Sequence, residues 1–288
     1  MIVRRNFIIA ALTLSASTFE PNSALAANPV TNATDLVSQH LDSIASPAIR
    51  AGLKTRVVEG SVQYTILVGG AGTVAGKAYL VFEGRKYQLL MKLASNDYSR
   101  EQIVFDGKKH KIALSTPRQT RSYFGNFLFD RDELIDEGLL GGTLSTAWPL
   151  LNLNERQAKV SFNGLKKIDG QNLYELRYHP RRSTDVEINF YFDPETCRHV
   201  ETTYVYSISE RMAQGGPTAQ VGQLPSRYRL QEKFSDFRTA DGVTLPTRDD
   251  IQLSREPQRG STILVEWNLK GLSVSNNIPV DARNFEVN

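Results

Sequence analysis

Four histidines, one cysteine and a run of carboxylates are the side chains in this 288-residue chain best suited to bind a metal or move a proton. His40, His110, His179 and His199 fall in no zinc-protease or zinc-finger spacing. His179 and His199 lie in neighbouring strand candidates, so their separation follows from the register. Matching the apolar rows pairs Leu176 with Ile188 and Phe190 with Val200. His199 then lies level with Leu173, six residues from His179. At about 3.3 Å per residue the two imidazoles are about 20 Å apart, which excludes a shared metal. Cys197 is the only cysteine, so no intramolecular disulfide can form. It ends the segment Asp193-Pro194-Glu195-Thr196-Cys197, which reads as a turn between strands and favours a structural thiol over a catalytic one.

Asp130, Asp132, Glu133, Asp136 and Glu137 form an acidic cluster. Carboxylates at a helix start are favoured by its dipole, and the spacing is not that of a calcium loop. A solvated helix face is expected, with a cation site as the alternative. Arg181-Arg182, after Pro180, read as a solvated turn. The chain has no Gly-x-Ser-x-Gly elbow, phosphate-binding loop or dinucleotide fingerprint. These residues assign no catalytic group, no metal ligand and no cofactor, and the chain reads as a non-enzyme. A cleft gathering Asp, Glu and His would be needed to reverse that.

The elements around these residues are mostly strands. A helix is expected from a cap at Thr34 to about Ser46, with Leu36, Val37, Leu41 and Ile44 on one face. From Ser61 to Ile66 polar and apolar residues alternate, as in a strand with one buried face. Further strands are expected near 73–83, 86–94, 100–106 and 109–115, and a second block begins near Ala158. Asp169-Gly170 and Asp241-Gly242 are hairpin turns, where glycine supplies positive φ. Tyr174, Leu176 and Tyr178 form one apolar row. Val186, Ile188, Phe190 and Phe192 form another. Tyr228, Leu230 and Phe234 make a third, and Ile263, Val265, Trp267 and Leu269 a fourth. Such rows belong to antiparallel sheets with one wet face. Residues 213–226 are rich in Gly, Pro and Gln and read as a flexible loop between strands.

The two strand blocks are separated by a segment without strand alternation, around 124–151. Phe124, Phe127, Leu128 and Phe129 lead to Asp130, read as the N-cap of a short helix from Arg131 to Glu137 that Gly138 ends. The apolar stretch from Leu139 to Leu151 follows and carries Trp148. Such a helical insertion must cover the sheet, either as a fixed lid over an ordinary core or as a mobile cover over an apolar cavity.

The N-terminus carries an export signal. Met1-Ile2-Val3-Arg4-Arg5-Asn6 is a basic opening, Phe7 to Ala16 an apolar stretch, and Ala24-Leu25-Ala26 a small-x-small cleavage pattern. Residues 1–26 are therefore expected to leave, with 27–288 as a single domain in the periplasm or beyond. The apolar stretch is shorter than the roughly 20 residues that span a bilayer. No later segment resembles a transmembrane helix. The formal charge is +3, with 34 basic and 31 acidic residues interspersed, which gives no footprint for nucleic acid.

The order of helix, strand block, helical cover and strand block resembles the LolA-like superfamily of exported bacterial proteins. Two stretches carry the resemblance best. One is Lys167-Ile168-Asp169-Gly170-Gln171-Asn172-Leu173-Tyr174-Glu175-Leu176 with Tyr191-Phe192-Asp193-Pro194-Glu195-Thr196. The other is Asp236-Phe237-Arg238-Thr239-Ala240-Asp241-Gly242-Val243-Thr244-Leu245-Pro246. The resemblance implies an α+β fold, a curved antiparallel half-barrel covered by helices, with acyl chains held between sheet and cover. It transfers no functional residue; the carrier's functional arginine matches no position here.

On that expectation the ligand-lining residues are Phe124, Phe127, Leu134 and Trp148 from the cover, and Leu176, Ile188, Phe190 and Trp267 from the sheet. One sixteen-carbon chain gives roughly 12 kcal/mol gross at about 0.8 kcal/mol per CH₂, against about 4–15 kcal/mol for association. A multi-acyl ligand, such as a lipoprotein anchor or phospholipid, is therefore expected for a lipid carrier or sensor. The alternative is a non-catalytic envelope scaffold with a solid core and a protein partner.

Overall fold

The computed structural model describes residues 30–118, 120–208 and 225–287. The export signal lies outside the described residues, as does the Gly/Pro/Gln-rich stretch up to 224. Ser226 already opens a strand. No helix among the described residues is long and apolar enough to cross a membrane.

Twelve antiparallel strands form one sheet. They are β1 (Thr55–Val68), β2 (Thr73–Glu83), β3 (Lys86–Leu93), β4 (Arg100–Phe105), β5 (His110–Ile112), β6 (Lys159–Ile168), β7 (Gln171–His179), β8 (Glu187–Phe192), β9 (His199–Ile208), β10 (Ser226–Ala240), β11 (Val243–Pro257) and β12 (Ile263–Asn276). Their order is β5-β4-β3-β2-β1-β12-β11-β10-β9-β8-β7-β6. Two meanders thus join through the β1–β12 pair, and the outer strands β5 and β6 do not close the sheet. The sheet is nevertheless strongly curled. The Gly141 amide reaches Glu232 on β10 at 2.7 Å, while a methyl group at Gly141 would meet Leu80 of β2 at 3.6 Å. Those strands are four places apart, about 19 Å on a flat sheet at about 4.8 Å per strand. One residue touches both because the sheet wraps around it. The architecture is a half-barrel, as expected.

The apolar rows line its concave face. The registers differ from the expected ones by two residues: Leu176 faces Phe190, Tyr178 faces Ile188, and Phe190 faces Thr202. A slip of two keeps the apolar rows on their expected face, whereas the bulge between Glu201 and His199 turns His199 inward, onto the face that the expected register gave to Val200. His199 lies opposite Phe192 across a bulge and is therefore level with Tyr174. The separation from His179 shrinks to about 16 Å, still beyond a shared ion. His179 is exposed and His199 buried.

Helix α1 (Ala33–Ile44) is capped by Asn32, whose side chain accepts the Asp35 N–H at 3.0 Å, rather than by Thr34. Ser46 does not end that helix but caps α2 (Pro47–Gly52), whose first residue is proline. The cover's first helix precedes the one expected from Arg131 to Glu137. Ser122 caps α3 (Tyr123–Asp130), so Asp130 is a helix end and not an N-cap. One turn, α4 (Glu133–Asp136), follows, and Gly138 adopts φ +64° beyond it. Two 3₁₀ turns, Gly142–Leu144 and Pro149–Leu151, and a short α5 (Leu153–Arg156) complete the cover.

Candidate functional site

The underside of the cover packs into the concave face. Phe124, Phe127, Leu134, Trp148, Leu176, Ile188, Phe190 and Trp267 are each no more than 3% exposed. They meet in two aromatic groups. Trp148 stands 4.7 Å from Phe190 and 4.6 Å from His199, centroid to centroid. Phe124 stands 5.3 Å from Trp267. Phe127 faces Tyr228 at 6.2 Å, beside an open groove that also exposes Tyr123 and Phe129. Between cover and sheet is a cavity of about 10 Å³, the size of a single water site.

Polar groups fasten this interface where the sequence pattern suggests only apolar ones. Glu232 occupies a core position between Leu230 and Phe234. Its Oε1 accepts the Gly141 N–H at 2.7 Å and its Oε2 accepts the Tyr204 hydroxyl at 2.9 Å. The Tyr204 hydroxyl also lies 3.2 Å from the Leu139 carbonyl. Asp249 is equally buried, and its Oδ1 and the Tyr87 hydroxyl have no partner. Glu232, Asp249 and Tyr87 all border the small cavity. Burial pushes Glu232 up to about 7 against the pull of its two donors. Burial, then the neighbouring Glu232, lifts Asp249 well above the carboxylate range. Two charges cannot coexist cheaply in such a dry site, so the pair retains a proton.

The second fastening joins α1 to the cover. Trp148 Nε1 donates to His40 Nε2 at 3.0 Å, and His40 Nδ1 lies 3.1 Å from the Cys197 carbonyl. An indole N–H can only donate. His40 therefore carries its proton on Nδ1 and gives it to Cys197, which fixes a neutral tautomer. Burial holds its pKa down to about 4. His199 sits 6.2 Å from His40, donates to or accepts from Thr202 at 2.8 Å, and is also held low by burial and then by His40. The histidines that do meet are His40 and His199, beside Trp148. Cys197 is free and buried in its turn.

Two more buried ionisable groups hold the cover's ends. Glu101 accepts from Tyr98 at 2.6 Å, from Ser115 at 3.2 Å and from Ser122, the cap of α3. Tyr98 in turn accepts the Trp267 indole N–H at 3.0 Å. Burial raises the Glu101 pKa against these donors. Arg56, on β1, donates to the Thr143 and Leu144 carbonyls at 2.8 and 2.9 Å. The acidic cluster is largely engaged. His110 lies between Asp132 and Asp136 at 3.6 and 3.4 Å, Glu133 accepts from Thr184, and Glu137 accepts from Tyr178. Among the described residues no three His, Cys, Asp or Glu side chains are grouped to hold a metal.

Neither a family model nor a curated protein sequence matches the chain. Solved structures do. The chain is similar in fold to LolA superfamily proteins. One from Nitrosomonas europaea is 11% identical, with a TM-score of 0.42 over 90% of this chain and 99% of that one. A putative outer membrane lipoprotein-sorting protein domain from Vibrio parahaemolyticus is 9% identical, with a TM-score of 0.41 over 86% and 95%. A DUF1329 family protein from Desulfovibrio piger is 12% identical, with a TM-score of 0.39 over 88% and 96%. These are loose likenesses, and the half-barrel rests on its own strand order and burial.

Proposed function

We propose that this chain is an exported, non-catalytic carrier or sensor that holds an acylated ligand between the half-barrel and its helical cover, and that the structure is its closed form. The observation that carries this reading is how the cover is fastened. Glu101, Arg56, Glu232 and His40 are buried ionisable groups spent on the cover's hydroxyls, backbone and indole. Burying such groups costs free energy that an apolar contact of the same shape would avoid. Directional bonds of this kind specify one arrangement, and a cover that detaches needs them to return to one closed position. Behind the fastenings Phe124, Phe127, Leu134, Trp148, Leu176, Ile188, Phe190 and Trp267 offer a largely apolar lining once the cover lifts, interrupted by His199, Glu232 and Asp249. A ligand with two or three acyl chains, as in a lipoprotein anchor or phospholipid, is the fit.

The small size of the cavity, about 10 Å³, favours a second reading: a solid-cored envelope scaffold whose outer polar face meets a protein partner. Native mass spectrometry of protein taken from the periplasm separates the two. The carrier should bring a lipid-sized mass with it. A ligand-free mass, with no uptake of a fluorescent diacyl lipid, would leave the scaffold.

A further inference from the structure

A second recess lies between α1–α2, the start of β1 and the two 3₁₀ turns of the cover. It encloses about 540 Å³, within the range of small-molecule sites. Leu41, Leu53 and Leu151 give it apolar walls, and three cations line it: Arg50, Lys54 and Arg56. The single carboxylate in the lining is Glu155. Arg50 is already bridged to Asp42 at 3.1 Å.

Arg56 is different. It is 2% exposed, and its acceptors are all neutral: the Asn276 side chain at 2.8 Å and the Thr143 and Leu144 carbonyls. Those bonds use Nε and Nη1, which leaves Nη2 outside them. No carboxylate lies within ion-pair distance of the guanidinium among them. Burial lowers its pKa to about 10, so it remains charged at neutral pH. A buried cation without a counter-ion is costly, and folded proteins normally pair it. Beside it the Thr143 hydroxyl, also lining the recess, is buried with no partner among the described residues.

We propose that this recess binds an anionic group, phosphate or carboxylate, carried on an apolar stem. The anion sits against Arg56 Nη2 and the Thr143 hydroxyl with Lys54 at the rim, and the stem lies along Leu41, Leu53 and Leu151. The recess shares Arg56, Thr143 and Trp148 with the closed cover, but the proposal does not depend on the carrier reading.

Calorimetric titration of the purified protein with dodecyl phosphate, inorganic phosphate and dodecanol tests it. Dodecyl phosphate should bind one to one, at least about 10-fold tighter than either of the others, since the charge-assisted bonds and the apolar wall each contribute. Lys54→Gln, at an exposed position, should weaken it about 3-fold, and Lys54→Glu about 10-fold. Arg56→Gln should abolish the preference for phosphate over dodecanol; the two Lys54 variants keep the test alive if it fails to fold. Uptake of a fluorescent diacyl lipid by the concave face should be unchanged in Lys54→Glu, so the two sites are read apart. Unchanged dodecyl phosphate affinity in Lys54→Glu, or dodecanol or inorganic phosphate binding as tightly, would overturn the proposal.

Discussion

Glu232→Gln removes a buried ionisation while keeping the side chain's size and an amide oxygen for the Gly141 N–H. In the folded chain burial lifts the Glu232 carboxyl from 4.5 to about 7, so the native state holds its proton more tightly than the unfolded chain does. A group raised on folding contributes its full stability below its unfolded pKa and loses it as pH rises through the folded one. The window here is therefore about pH 4.5 to 7 and just above. At about 1.36 kcal/mol per pKa unit, the difference amounts to about 3 kcal/mol. Asp249, raised in the same direction, titrates with it. Urea unfolding of both proteins at pH 4.5 and 8.5 reads the effect. The wild type should lose about 3 kcal/mol more than the variant between the two pH values. Taking the difference cancels the histidines, which titrate in both proteins. Equal pH slopes in the two proteins would refute the reasoning, because the buried carboxyl would then be charged in the folded state at no cost.

Other consequences are as direct. His40 is held down to about 4 from 6.5, so its contribution is present above pH 6.5 and lost as pH falls through 4. Melting followed by Trp148 fluorescence should show that acid limb, since protonation at Nε2 removes the indole's acceptor. Trp148→Ala should cost about 3–5 kcal/mol, the range for a large buried aromatic, measured by urea unfolding. Gly76→Ala should be among the most disruptive small changes, because its methyl carbon would lie 1.9 Å from the Lys92 carbonyl oxygen across the β2–β3 pair; a markedly lower melting temperature or insoluble protein is expected.

Much of the fold is legible because strand alternation is a local signal. The 73–83 segment is found with the bounds of β2, and the apolar rows fall on their expected faces. The registers are off by two because alternation fixes parity and not position; the bulge at Val200 and the turns at 180–186 and 193–197 set the rest. Helix α3 is hidden because its aromatic run lacks polar spacing, although Ser122 is a recognisable cap. The fastenings are the least legible part. Glu232 occupies the one skipped place in the row Tyr228, Leu230, Phe234, and a carboxylate at core parity is a visible anomaly. Asp249 likewise precedes Ile251 and Leu253 at core parity. His40 gives no such sign, because its partner Trp148 is 108 residues away in sequence and only the tertiary fold joins them. The expected lining residues are brought together as a packed interface, and their contact with a ligand is the proposal that remains to be measured.

The two tryptophans make that measurement direct, since both are fully buried at the seam between cover and sheet. Energy transfer from Trp148 and Trp267 to a dansyl-labelled diacyl lipid reports entry of the lipid beneath the cover. The carrier account predicts saturable transfer at about one lipid per chain, lost on addition of unlabelled diacyl lipid. Unquenched tryptophan emission at every lipid concentration would contradict it.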